Sequence, residues 1–354
     1  MLAFLVRFLY IKRKGYSMSQ NFHNLKTLAK LTSVSTAIIS VSNQFIIYQS
    51  SLTNKLARTP NKKYYKSKLS DLFYTVNGSG TPILLIHDMN PGGSGYEWKK
   101  IEKELAKNHT VYNIDLPGCG RSEKKNMIYT NFFFTSLINQ FIKDVIKEKI
   151  DIIASGYSSF IPLTLAFNNE TLKLNKQFGS SAHDTSSNPE EPLINKIVLV
   201  NPCDLNKYSR IPSSKEKIFY NILNVPVYGT LIYHMVVSHE NIDYQFIENY
   251  YFNPFHPDTD LEESYYEAAH KGRSYSKYLY SSLVRNYTGC NMDKFVKNVK
   301  IPVSIIMGEA EFHCEKIIQQ YQNLNPNISI STIPKSKHFP HVENMEIFLE
   351  KLSI

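Results

Sequence analysis

An α/β fold, with a mostly parallel sheet and helices on both of its faces, is the class this 354-residue sequence predicts. Three observations carry that prediction. Short apolar runs at 82–87, 109–115, 150–154, 196–202, 301–308 and 328–333 alternate with stretches whose apolar residues recur at helical spacing. The corners between them collect Gly, Pro, Asn and Asp, the residues that end strands and open turns. One stretch, 150–166, holds the whole unit: a buried strand, a short run of small or flexible residues, and a helix packed back on the sheet. With 42% apolar and 13% aromatic residues the chain can bury a sizeable core, which excludes global disorder.

The formal charge of +9 is unevenly placed. Residues 1–70 hold twelve Lys or Arg and no Asp or Glu, leaving 28 Lys/Arg against 31 Asp/Glu, a balance of −3, for the body. A nucleic-acid partner would need cations on the folded body, and that balance argues against one. Residues 1–10 are apolar with one arginine, Arg7, and precede Lys12, Arg13 and Lys14, so the cluster of charges follows the apolar run where a signal peptide has it first. Met18 is an alternative start.

Residues 28–49 carry one charge, Lys30. Leu31, Val34, Ile38, Val41, Phe45 and Tyr48 recur there at steps of three and four, with Ser, Thr, Asn and Gln opposite. At about 1.5 Å per residue the segment can span a bilayer, and an interfacial amphipathic helix has the same signature. The expected localisation is membrane-associated through this N-terminal anchor. Organelle targeting by a cleaved, Ser-rich, acid-free transit peptide is the alternative. The basic linker at 55–68 suits anionic lipid at a membrane surface.

Strands begin after Tyr64. Residues 72–76 end in the turn Asn77-Gly78-Ser79-Gly80 and the buried strand 82–87 follows. A Gly-, Asn- and Pro-rich loop at 88–95 leads to a helix over 96–106 with Trp98, Ile101 and Leu105 on one face. Strand 109–115 then runs into Leu116-Pro117-Gly118-Cys119-Gly120-Arg121-Ser122.

At this point the chain resembles the α/β-hydrolase fold-1 superfamily, the esterase, lipase and epoxide-hydrolase group. The resemblance rests on G-S-G-x-P-I-L-L-I-H at 78–87, D-L-P-G-x-G-R-S at 115–122, and the strand–turn–helix at 150–166, in that order. After the basic N-terminal segment (1–63) that the charge count sets apart, it implies a hydrolase core (64–205 and 297–354) and a helical cap inserted at 206–296. The cap interval is rich in tyrosine, so it suits a pocket for a small lipophilic substrate or ligand. A helix is expected over 132–149, a mobile polar insertion at 177–192, and a closing helix at 344–352.

The chemistry of that superfamily needs a nucleophile, a histidine that activates it, a carboxylate that orients the histidine, and backbone donors for the oxyanion. The resemblance assigns His338, after the last strand, as base and Glu311 as its acid, with Asp204 as the alternative acid. His341 reads as exposed or helix-capping, and Asp115 and Arg121 as loop-shaping. His87 and Asp88 stand where the superfamily shows the oxyanion loop, and Tyr157 lines the same pocket.

The nucleophile departs from the pattern. An ungapped match of 151–166 to the superfamily's elbow puts Ser155 at the histidine position and Gly156 at the serine position. Glycine tolerates the positive φ of that corner but brings no hydroxyl. A helix starting two residues later makes Ser158 the nucleophile, and Ser155 is a further alternative. The leading expectation is a serine-type hydrolase of a lipophilic carboxylic ester through Ser158, Glu311 and His338. A non-catalytic binding protein for an apolar ligand is the second, and a His338–Glu311 general base acting without a covalent step is the third. No cofactor or metal is expected. The four cysteines, Cys119, Cys203, Cys290 and Cys314, lie far apart without metal-site spacing.

Overall fold

The computed structural model describes residues 18–177, 193–210, 212–255 and 257–352. The signal-like run at 1–10 and nearly all of the polar insertion expected at 177–192 lie outside them. Among the described residues the sheet has eight strands. They are β1 (Lys63–Tyr65), β2 (Leu72–Asn77), β3 (Thr81–Ile86), β4 (His109–Asp115), β5 (Ile150–Ser155), β6 (Ile194–Val200), β7 (Val303–Gly308) and β8 (Ser329–Ile333). The spatial order is β1-β2-β4-β3-β5-β6-β7-β8. The first two strands pair antiparallel and every pairing from β4–β3 to β7–β8 is parallel. The α/β sheet expected from the sequence is therefore present, and the central strands are buried on both faces as parallel strands require.

Helices cover both faces. Asn131–Phe141 and Phe160–Gln177 enclose the larger core, with Phe134, Leu137, Phe141, Phe160 and Leu163 fully buried. Lys99–Leu105 and Met345–Leu352 cover the other face through Trp98, Ile101, Phe348 and Leu352. The helix expected at 96–106 starts as a 3-10 turn, Gly95–Trp98, capped by Ser94. The one expected at 132–149 ends in a π-turn at Ile142–Ile146, closed by Lys147 in a left-handed conformation.

Between β6 and β7 the chain is helical, from Leu205–Tyr208 to Met292–Asn298, and this part meets the loops that follow the strands, Tyr208 at Gly156 after β5 and Tyr250 at His338 after β8. The N-terminal helix runs over Met18–Ser51 and packs on two helices of that region, Tyr228–Val236 and Thr259–His270. Its Leu25–Ser51 part, with a mean hydropathy of 1.2, is long and apolar enough to cross a membrane. Core helices and signal sequences satisfy the same test.

The corner after β4 is held by a buried ion pair. Arg121 Nε donates to Asp115 Oδ2 at 2.7 Å and Nη2 to Oδ1 at 2.7 Å, with the guanidinium 4.0 Å from the Phe73 ring centroid. Both side chains are almost fully buried. Removing one partner leaves an uncompensated buried charge, so Arg121→Ala is expected to cost about 3–5 kcal/mol in a urea melt.

Candidate active site

Strand β5 ends at Ser155, and a 3-10 turn, Gly156–Ser159, redirects the chain into the Phe160–Gln177 helix. Gly156 is the left-handed residue of that corner, with φ +53°. A Cβ built there would lie 2.1 Å from Asp88 Oδ1. The space that a side chain at the corner would fill is thus occupied by a carboxylate arriving from the loop after β3.

Asp88 is held tightly in that place. Its Oδ1 accepts from the Tyr157 backbone N–H at 2.7 Å, and its Oδ2 accepts from Asn90 Nδ2 at 3.0 Å. His338 Nε2 lies 3.5 Å from the same Oδ2, and His338 Nδ1 lies 3.5 Å from Glu311 Oε2. One imidazole therefore bridges two carboxylates, at the point where β3, β5, β7 and the loop after β8 converge. All three side chains keep a small exposed fraction, 11% for Asp88, 15% for His338 and 17% for Glu311.

The loop carrying His338 is fixed from two sides. Asn201, at the end of β6, donates through Nδ2 to the carbonyls of Lys337 at 2.7 Å and His338 at 2.9 Å, and accepts from Gly308 N–H at 2.8 Å. Glu343 accepts from the backbone N–H of Lys337 and of Phe252, both at 2.7 Å, which ties the loop to the helical insertion. The His338 N–H donates to the Tyr250 carbonyl at 3.1 Å, and the Tyr250 ring stacks on the imidazole at 4.9 Å between centroids. Phe246, Tyr251, Tyr265 and Phe339 extend that aromatic cover.

Charge follows geometry. Burial alone would lower the His338 pKa, but the flanking Asp88 and Glu311 outweigh it and hold it well above the ordinary value. Burial likewise opposes ionisation of Asp88, yet His338, the Tyr157 N–H and Asn90 bring it down to about 2. At neutral pH the pair is imidazolium and carboxylate.

A second acid lies behind the first. Glu97, 3% exposed, accepts from Ser155 Oγ and, at 3.2 Å, from the Asp88 N–H, with His341 Nε2 3.6 Å away. Burial and then the Asp88 charge push Glu97 up to about 8, whereas burial and His338 lower His341 to about 3. The proton of this pair sits on the carboxyl. Its unfolded value is near 4.5, so between pH 4.5 and 8 the folded chain keeps a proton that the unfolded chain has lost. Stability then falls as pH rises through that window, by roughly 1.4 kcal/mol per pH unit, and levels off above it. Glu97→Gln removes this contribution, so the variant should gain on the wild type from pH 5 to pH 8 in denaturant melts. A constant difference across that range would count against a neutral Glu97.

The other residues singled out in the sequence fall as follows. Ser158 is fully buried and donates to the His87 carbonyl, so its hydroxyl is committed inside the protein. The geometry gives no support to Ser158 as the attacking group. Ser155 is committed to Glu97. His87 accepts from Leu116 N–H at 2.9 Å through Nε2 and bonds the Asp88 carbonyl at 2.7 Å through Nδ1, the tautomer being assigned from this network. It shapes the loop. Tyr157 contributes its N–H, while its ring stacks on Tyr208 and its hydroxyl meets Thr288 at 3.0 Å. Asp204 caps the Leu205–Tyr208 helix and pairs with Lys316 at 2.6 Å, so Glu311 is the acid beside His338. His341, read as exposed or capping, is buried and stacked on Trp98 at 4.2 Å.

Glu97 was not anticipated. Its signal was available: Glu97, Ile101 and Leu105 lie at steps of four on one helical face, so a carboxylate shares the buried stripe.

A model of the alpha/beta hydrolase family matches residues 83–351. A soluble epoxide hydrolase from a Corynebacterium species is 27% identical over 101 residues, 28% of this chain and 35% of that protein. A putative carbamate hydrolase, RutD, from Azorhizobium caulinodans is 45% identical over 53 residues, 15% of this chain and 19% of that protein. The matched stretches therefore span about a third and a fifth of those relatives' lengths. Among solved structures, the epoxide hydrolase CorEH superposes with a TM-score of 0.61 at 17% identity, over 82% of this chain and 95% of that one. The haloalkane dehalogenase DatA from Agrobacterium tumefaciens does so with a TM-score of 0.57 at 15% identity, over 84% and 97%.

Proposed function

The chain belongs to the alpha/beta hydrolase family, and from that premise we propose that it is a hydrolase in which the Asp88 carboxylate takes the role of the missing elbow nucleophile. The observation that carries this reading is the placement of Asp88 at the Gly156 corner, one oxygen on the Tyr157 N–H and the other facing His338 Nε2.

The nucleophile dictates the substrate class. A carboxylate that attacks an ester carbonyl gives an anhydride, which is more reactive than the ester. A carboxylate that attacks a saturated, polarised carbon gives an ester that water can hydrolyse. The reading is therefore a lipophilic molecule with an electrophilic sp³ carbon, of which an epoxide is the simplest, and not the carboxylic ester expected through Ser158. Epoxide hydrolysis is also the activity named for the Corynebacterium relative.

The resting ion pair balances the reaction. Asp88 Oδ2 forms a bond to the epoxide carbon as the ring C–O bond breaks, and His338 gives its proton to the released oxygen. Neutral His338, oriented by Glu311, then takes a proton from water as the water oxygen adds to the Asp88 carboxyl carbon. The Tyr157 N–H faces the oxygen on which charge develops. Collapse breaks the bond from that carbon to Oδ2, the alcohol oxygen takes the remaining proton of the added water from the new carboxyl, and a diol leaves. Asp88 is again ionised and His338 again protonated.

The test is a single turnover in heavy-oxygen water, with the protein in excess over styrene oxide. Heavy oxygen in the Asp88 peptide is the expected result, since the ester is cleaved at its acyl carbon. Label confined to the diol would sink the covalent step.

A second reading keeps the protein as a non-catalytic binder of an apolar ligand. It is favoured by the clamping of both His338 nitrogens between carboxylates. Retention of styrene oxide without diol formation would select it. In either reading the protein attaches to a membrane through its N-terminal helix, a view supported by the length and composition of Leu25–Ser51.

A further inference from the structure

The N-terminal helix presents two opposite faces with opposite character. Thr36 and Asn43 lie on the face toward the helical insertion. Thr36 Oγ1 is 2.7 Å from the Tyr228 hydroxyl, and Asn43 Nδ2 donates to the Val227 carbonyl at 2.9 Å. Asn43 is 5% exposed and Ser50, one heptad on, 2%. Ile38 and Phe45 follow Thr36 and Asn43 by two residues, which at about 100° per residue puts them on the far side of the helix. There Leu31, Val34, Ile38, Val41, Phe45 and Tyr48 form a stripe that is between 58% and 70% exposed. No charged residue occurs between Lys30 and Lys55.

We propose that this stripe lies in the plane of a lipid bilayer, so that the helix is a strap between the membrane surface and the cap and does not cross the membrane. This inference is independent of the reading of Asp88. A spanning helix meets hydrocarbon all round, but this one has one face bonded to the insertion at Thr36 and Asn43. Its end is fixed as well: the Leu56 N–H donates to Glu267 Oε2 at 2.9 Å, and Lys55 Nζ meets Asp260 at 2.5 Å. Crossing the bilayer would break these contacts and place Asn43, Gln44 and Gln49 in hydrocarbon.

A second copy of the chain is the competing occupant, because the stripe repeats every seven residues. The positions flanking it (Ser35, Ala37, Ser42, Gln44 and Gln49) carry no charge, whereas a helix pair exposed to water uses charges there to fix its partner. The twelve cations and absent acids of residues 1–70 would repel a second copy and suit anionic lipid.

The test uses the full chain and flotation with vesicles of phosphatidylcholine, alone or with phosphatidylserine. The protein should float with both and several-fold more with the anionic lipid. Val41→Asp/Phe45→Asp should lower partitioning by roughly a hundredfold, about tenfold per side chain, and melt within a few degrees of the wild type because both side chains are exposed. Lys26→Cys and Arg58→Cys, tested separately on intact vesicles, should both react with a membrane-impermeant maleimide above the background of the parent protein. Reaction at only one of them would mean a spanning helix and overturn the proposal. So would a failure to float, or a dimer in light scattering that the double substitution converts to a monomer.

Discussion

Asp88→Asn should reduce diol formation from styrene oxide by at least roughly 10³-fold, while Ser158→Ala stays within about threefold of the wild type. The amide is nearly isosteric with the carboxylate and can still accept from the Tyr157 N–H, so the corner keeps its shape. It lacks the negative charge that makes the carboxylate oxygen nucleophilic enough to open the ring. It also removes one of the two carboxylates that hold the His338 proton, so His338 should titrate at lower pH in the variant. That second effect gives a readout besides rate. The imidazole resonances of His338 should move in a pH titration of Asp88→Asn and remain in place in Ser158→Ala. In the wild type the rate should fall as pH rises through the elevated His338 pKa, because the proton that reaches the opening ring is then absent. Its acid limb should lie near the Asp88 value of about 2, unless unfolding intervenes first. A Ser158→Ala variant as inactive as Asp88→Asn would restore the serine reading.

The sequence carried the sheet and most of the corner, and the reason is local. Strands such as 82–87 and 150–154 are continuous apolar runs bounded by turn residues, and such runs are buried on both faces in a parallel sheet. His338 and Glu311 could be located because each follows a strand at the spacing the superfamily uses. The Asp88–Gly156 relation could not. The two positions are far apart in the chain, and only the parallel β3–β5 pairing brings their loops together. Read alone, Asp88 was a residue of the oxyanion loop, and Gly156 was a missing hydroxyl. The two departures from pattern belong to one contact. In the N-terminal helix the stripe was likewise visible as a period. Its exposure was not, since that depends on Asn43 reaching Val227 from the other side.

That contact has a direct consequence for substitution. Gly156→Ser alone should be strongly destabilising, because its Cβ would lie 2.1 Å from Asp88 Oδ1 and 2.4 Å from Asp88 Cγ. Asp88 cannot yield easily, being bonded to Tyr157 and Asn90. Overpacking of this kind costs about 1–3 kcal/mol, and the left-handed backbone adds about 1–2 kcal/mol for a residue with a Cβ. For a chain of this size that should lower the melting temperature by several degrees, at roughly 2–4 °C per kcal/mol. Removing the carboxylate in the double variant Asp88→Gly/Gly156→Ser empties the space, so the second substitution should recover much of the loss. Recovery would be a coupling between two sites, which independent destabilisations do not produce. The double variant also sets a serine hydroxyl at the corner beside His338 and Glu311 and frees the Tyr157 N–H for an oxyanion. It should therefore become reactive toward a fluorophosphonate where the wild type is inert, and lose that reactivity on His338→Ala. A Gly156→Ser protein as stable as the wild type would show that Asp88 does not fill the corner. Stability recovered without labelling would show that the space is shared while His338 is not placed to activate a hydroxyl there. Recovery together with labelling would mean that the corner, the histidine and the oxyanion donor form a complete site, in which the attacking group reaches the same point in space from strand β3 in place of β5.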